Sequence, residues 1–190
     1  MSAARRFVLL IAPCCLLLSL SVSAQSAPSP VPQKLSLTAA LVLTPEFCAT
    51  VNKKGSEKFK VGKAACGELG PALQGVFSSL SQVDDSSKAG NAQVVLEPKF
   101  ADVGATQKAF AFSNRELVLL VEWTVRDQSG RVMWLDTVQG SAKRHIGNAF
   151  TYGSNLKHIV EDSAKDLAEQ SAVKMSSAPQ LQKLSAQQVK

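Results

Sequence analysis

Leu117-Val118-Leu119-Leu120-Val121-Glu122-Trp123-Thr124-Val125, then Asp127-Gln128-Ser129-Gly130, then Arg131-Val132-Met133-Trp134-Leu135-Asp136-Thr137-Val138, is the stretch that decides the fold. Leu117, Leu119, Val121, Trp123 and Val125 alternate with Glu116, Val118, Leu120, Glu122 and Thr124, which is the two-residue period of a strand with one buried face. Two β-rich runs flanking a short turn that closes on Gly predict a β-hairpin. Trp123 lies four residues before Asp127 and Trp134 four after Gly130, so the two indoles are expected to meet across the pair and pack in the core.

Upstream of the hairpin, Gln93 to Phe100 reads as a strand, and Pro98 predicts an edge position or an interrupted end. Asp84 to Asn91 is a polar link. From Ala64 to Val83, Cys66, Leu69, Leu73, Val76, Phe77 and Leu80 recur at steps of three and four, which predicts a helix with one buried face. Gly70-Pro71 complicates it, because Pro fits a first turn better than a helix interior, so a regular start at Pro71 is the alternative. Leu35, Leu37, Ala39, Leu41 and Leu43 alternate with smaller or polar residues as a first strand, ended by Pro45.

Between Cys48 and Lys63 the chain carries Lys53, Lys54, Lys58, Lys60 and Lys63 against the single acid Glu57. Around Lys54-Gly55-Ser56 a β-hairpin or irregular excursion is expected, with Phe59 and Val61 facing the protein. This is the strongest local charge bias in the sequence. As a contact surface it suits phosphate-bearing lipid or an acidic partner; as a plain solvated loop it needs no ligand.

Downstream of the hairpin, Gln139 to Gly153 reads as a connector holding Lys143, Arg144 and His145, then Phe150 and Tyr152. Ser154 is the expected cap of a helix whose inner face is Leu156, Ile159, Val160, Ser163, Leu167 and Ala168. Its outer face carries Lys157, Glu161, Lys165 and Glu169, with Glu161 and Lys165 spaced for an ion pair. Ser177-Ala178-Pro179 starts a short helix through Leu184, and 185–190 is expected to fray.

At the N-terminus, Arg5 and Arg6, an apolar run from Phe7 to Val22, and Val22-Ser23-Ala24 have the form of a secretory signal peptide over 1–24, cleaved before Gln25. The mature protein is then periplasmic or secreted. A retained membrane anchor is disfavoured by Pro13, and a lipid tether through Cys14 or Cys15 is the alternative, against which Pro13 also argues. Residues 25–34, with Pro28, Pro30 and Pro32, form an extended leader, and 35–184 a single domain. Removing the 24 signal residues leaves 166, and removing Arg5 and Arg6 lowers the formal charge from +6 to +4. It also leaves Cys48 and Cys66 as the only mature cysteines, a pair expected to join in an oxidising compartment.

No Gly-rich phosphate loop, paired-histidine zinc motif or nucleophile-elbow pattern occurs in the sequence. His158 and Asp162 share a helix face at four-residue spacing, but no third ligand accompanies them. The sequence thus predicts no cofactor, no metal and no catalytic residue. Lys143, Arg144 and His145 with nearby aromatics have the mix of a nucleic-acid surface, yet export makes nucleic acid an improbable client.

Ala40-Leu41-Val42-Leu43-Thr44-Pro45, Phe59-Lys60-Val61-Gly62 and Phe77-Ser78-Ser79-Leu80, followed by the Leu117 to Val138 hairpin and the Leu156 to Leu184 helical region, resemble small bacterial envelope proteins of the YajG-like and lipopolysaccharide-assembly-lipoprotein-like type. The resemblance implies an α+β fold, a mostly antiparallel sheet with two main helices on one face, in the order strand, hairpin, helix, three strands, helix. It also implies a non-catalytic binding or assembly factor of the envelope, contacting a protein partner or an anionic lipid. A hydrolase-type enzyme whose site converges only in three dimensions, and a purely structural envelope protein, are the alternatives.

Overall fold

A five-stranded sheet forms the body of the computed structural model, in the spatial order β4-β1-β5-β6-β7. Its strands are β1 (Leu35–Val42), β4 (Phe77–Val83), β5 (Val94–Ala105), β6 (Asn114–Asp127) and β7 (Val132–His145). Between β1 and β4 the chain forms a one-turn helix α1 (Pro45–Cys48), a small hairpin of β2 (Asn52–Lys54) and β3 (Glu57–Phe59), and helix α2 (Val61–Gln74). After β7 come the long helix α3 (Tyr152–Ser177) and the short α4 (Pro179–Gln187). The structure describes residues 32–54, 57–105, 114–145 and 152–188; the signal, most of the leader and Phe150 lie outside them.

The α+β class holds, with α2 and α3 on one face of the sheet. The sheet itself is mixed. β5, β6 and β7 are antiparallel, as the period-two runs require, whereas β1 is parallel to both β4 and β5. The parallel half arises because the segment read as one helix over Ala64–Val83 is two elements. α2 stops at Gln74 with Gly75 as its C-cap, and Phe77–Val83 is a strand laid along β1. Val76, Phe77 and Leu80 fit a helical step, but sheet pairing outweighs that local pattern. Ser78 and Ser81 also donate their hydroxyls to the β1 carbonyls of Leu37 and Ala39.

Pro71 lies inside α2 and neither starts nor ends it. Its missing N–H frees the carbonyl of Gly67, and since both residues are exposed, water can take that bond. Pro98 lies two residues beyond the last paired stretch of β1 and β5, which ends at Leu41 opposite Leu96, so it sits where β5 loses its neighbour on that side.

The central hairpin forms with one change of register. Gly130 adopts φ 81°, and a bulge at Val125/Arg126 shifts the pairing, so Trp134 opposes Val125 and Trp123 opposes Asp136. The indoles are therefore diagonal neighbours on the buried face and not direct partners. Lys143, Arg144 and His145 belong to β7 and not to a loop, because the pairing with β6 runs on to Asn114 opposite His145.

Parallel β1 and β4 must be joined by a chain that returns, so α2 runs antiparallel to β1. α3 runs back along β7: the Ser141 N–H donates to Asp166, and further along the helix Lys174 donates to Asp136. Both helices hence run the same way, with their N-termini at the same end of the sheet. α3 packs closely because β7 offers Gly140 at the contact, where an added Cβ would collide with the backbone of Leu167. Beneath it the Trp123 indole N–H donates to the Ser171 hydroxyl at 3.1 Å, which satisfies a polar group in a fully buried setting. At the other end of the core α4 buries Leu181, and Ser185, expected to fray, accepts the Ser36 N–H at 2.7 Å.

Candidate functional site

Alternation along the small hairpin decides where its lysines go. Phe59 is buried and anchors the hairpin, so its neighbours Lys58 and Lys60 point outward. Asn52 adds a second anchor by donating to the Val103 carbonyl of β5 at 2.8 Å. Lys53 opposes Lys58 across the ladder and is exposed; Lys54 opposes Glu57, but its side chain lies outside what is described.

Lys60 then serves as N-cap of α2 and makes no capping bond through its side chain, and the first turn holds no acid. Lys63 follows in that same turn. The positive end of the helix dipole is thus joined by cations where acids are the usual occupants. The turn is held firmly all the same. The Gly62 N–H donates to Thr50 at 3.0 Å, the Gly62 Cα faces the α1 backbone so closely that no Cβ fits, and the predicted Cys48–Cys66 disulfide ties α1 to α2 with Cα atoms 5.8 Å apart.

α3 begins by Tyr152 beside α2, so Ser154 lies within its first turn and does not precede it. Between the first turns of the two helices lies an open cleft of about 610 Å³. Lys58, Lys60 and Lys63 rim it on one side and Lys157 on the other. Its floor is small and apolar: Ala64 and Gly67 from α2, Gly153, Leu156 and Val160 from α3. Glu68 and Glu161 complete the lining, so four lysines against two glutamates leave a formal excess of +2. Glu161 is engaged by Lys157 at 3.5 Å and by His158 at 3.2 Å, which replaces the expected pairing with Lys165; that lysine reaches Glu169 instead.

The sequence located three members of this site, Lys58, Lys60 and Lys63, and missed Lys157 and the floor. Lys157 lies 94 positions after Lys63 in the sequence, and only the parallel setting of two helices brings them together. The recurrence of Gly and Ala on the facing stripes, Ala64 and Gly67 against Gly153, is the one local sign that a gap belongs there.

Other singled-out residues do not converge. His158 turns to Glu161, while Asp162 accepts from Arg144 at 2.6 Å, and that hydrogen bond raises the pKa of the guanidinium further. His145 meets Asn114. A second, more polar cavity of about 490 Å³ lies under the link between β4 and β5, where Arg126 and Glu97 are already paired at 3.0 Å.

No protein-family model matches the chain, and no curated protein matches it in sequence. Among solved structures it is similar to a DUF330-family protein from Xanthomonas campestris, at 8% identity over 85% of this chain and 92% of that one, with a TM-score of 0.53. A putative lipoprotein from Caulobacter crescentus follows at 14% identity, 73% and 90% coverage and a TM-score of 0.47. A minor lipoprotein from Acinetobacter baumannii follows at 16% identity, 75% and 92% coverage and a TM-score of 0.47. The likeness to the first is one of fold.

Proposed function

We propose that this chain is an exported, non-catalytic envelope protein that binds an anionic group, borne by a protein partner or a lipid, in the cleft between α2 and α3. One observation carries the reading: lysines from two distant segments gather at the start of α2, whose first turn holds neither an acid nor a side-chain cap. Such a surface lowers the energy of a nearby anion through both the fixed charge of the lysines and the positive end of the helix dipole. The disulfide and the tight Gly62 contact hold the lysine-bearing segment in place before binding, which limits the ordering cost on association.

Export rests on the pattern of residues 1–24. Among the described residues no helix is long and apolar enough to cross a membrane. Lipidation at Cys14 or Cys15 would tether the chain to a bilayer, and kinship to YajG-like and lipopolysaccharide-assembly-type proteins is the finer form of the proposal.

The test replaces Lys58, Lys60, Lys63 and Lys157 by Gln and measures retention on vesicles containing phosphatidylglycerol, alongside crosslinking in intact envelopes. The variant is expected to lose at least tenfold in association, since each lysine near an anionic surface contributes about 1 kcal/mol. Wild-type association should weaken with salt as the screening length contracts to about 8 Å at physiological ionic strength. Equal retention and equal crosslinking of both proteins across that range would overturn the reading.

A further inference from the structure

The lysines explain attraction for an anion, but they leave the floor of the cleft unused. Ala64 and Leu156 are half-buried over the buried Val160, with Gly67 and Gly153 leaving open space above the helix backbones. From Gly153 to Val160 this stripe runs along α3 for about 10 Å at the helical rise of about 1.5 Å per residue. A free phosphate or an acidic side chain on a flat partner surface would neutralise the rim and leave the half-buried Ala64 and Leu156, with the open space over Gly67 and Gly153, facing water. We infer that the ligand of the cleft is an anionic amphiphile, a phosphate- or carboxylate-type headgroup on an alkyl chain, with its head among Lys58, Lys60 and Lys63 and its chain along the floor between α2 and α3. This rests on the cationic-cleft reading above and specifies its ligand.

The charges also set the direction of binding. Lys60 and Lys63 stand at the start of α2, whereas Glu68 stands more than a turn further on, and Glu161 holds the matching place on α3. A headgroup at the far end would face these carboxylates. One at the N-terminal end faces lysines and the positive ends of both helices. An uncharged chain passes the glutamates without that penalty, so a molecule with a single anionic head fits and one anionic at both ends does not. The cleft's volume lies within the range of about 300–1,000 Å³ usual for small-molecule sites.

Titration calorimetry on the mature, disulfide-bonded protein with inorganic phosphate, hexyl phosphate, octyl phosphate and octyl glucoside, each below its micellar concentration, tests the assignment. Affinity should rise from phosphate through hexyl to octyl phosphate, by up to about fourfold per methylene for complete burial. Octyl glucoside, which has the chain without the charge, should bind at least tenfold more weakly than octyl phosphate. Gly67→Phe, placed where an added Cβ meets nothing, should fill the floor and remove the chain-length dependence. The probe series on the wild-type protein needs no variant, so it stands even if Gly67→Phe fails to fold. Equal affinity for phosphate and octyl phosphate, with both lost on replacing the lysines by Gln, would overturn the amphiphile and keep the anion site. Binding of all four probes unaffected by the lysine replacements would overturn both.

Discussion

Two buried contacts show how much a single atom decides in this core. Ser171 is fully buried on α3, and its hydroxyl is the acceptor for the Trp123 indole N–H. Ser171→Ala leaves that donor without its partner, and urea unfolding should show a loss of about 1–3 kcal/mol. Gly140 presents the opposite case, where the missing side chain is what counts. A methyl group there would overlap the Leu167 backbone, which cannot rotate away as a side chain can. Gly140→Ala should therefore cost about 1–3 kcal/mol or more, and should loosen α3 from β7 as seen by faster amide exchange along that helix.

At the scale of elements, α2 is the one most exposed to its own sequence. It lacks a capping side chain, carries Pro71 in its interior and includes exposed Gly67, yet it forms because its buried stripe of Ala65, Leu69 and Leu73 packs in the core and Cys66 is tied to α1. Removing the disulfide by a Cys48→Ser, Cys66→Ser double replacement should lower stability by about 3 kcal/mol, as expected for closing a loop of this size, without changing the cleft's preference among anions. The central hairpin depends on Asp127 in a different way. Its carboxylate accepts from the Ser129 hydroxyl and N–H and from the Arg131 N–H, and the Ser129 hydrogen bond is the main cause of its lowered pKa. A depressed carboxyl pKa gives stability that is present above the ordinary aspartate value and is lost as pH falls through the folded one. NMR of the turn amides should thus show the loop opening only in that acidic window, and Asp127→Ala should abolish the pH dependence.

For the whole molecule, the prediction that separates charge from folding is the lysine replacement. These side chains are exposed, and exposed charges contribute little to stability, so the four-Gln variant should keep its thermal midpoint while its anion binding falls. N-terminal sequencing of the protein from its native host should find Gln25 first. An acylated Cys14 or Cys15 would instead tether the chain to a membrane.

By itself the sequence determined the hairpin of β6 and β7, the strand β1, the inner face of α3 and the pairing of Cys48 with Cys66. In each the evidence is local: a period of two or of 3.6 in apolar residues, a Gly-closed turn, or a single available partner. Tertiary structure alone decided that Phe77–Val83 is a strand, since its apolar spacing suits a helix equally well and only the open edge of β1 selects between them. It alone decided the register of Trp123 and Trp134, which one bulged residue moves. The candidate site divides along the same line. Lys58, Lys60 and Lys63 stand out as a local excess of charge, whereas Lys157 and the apolar floor join them only because the parallel strands β1 and β4 send α2 back along the sheet, beside α3 and in the same direction. Periodicity reports which face of an element is buried; it carries no information on which distant element that face will meet.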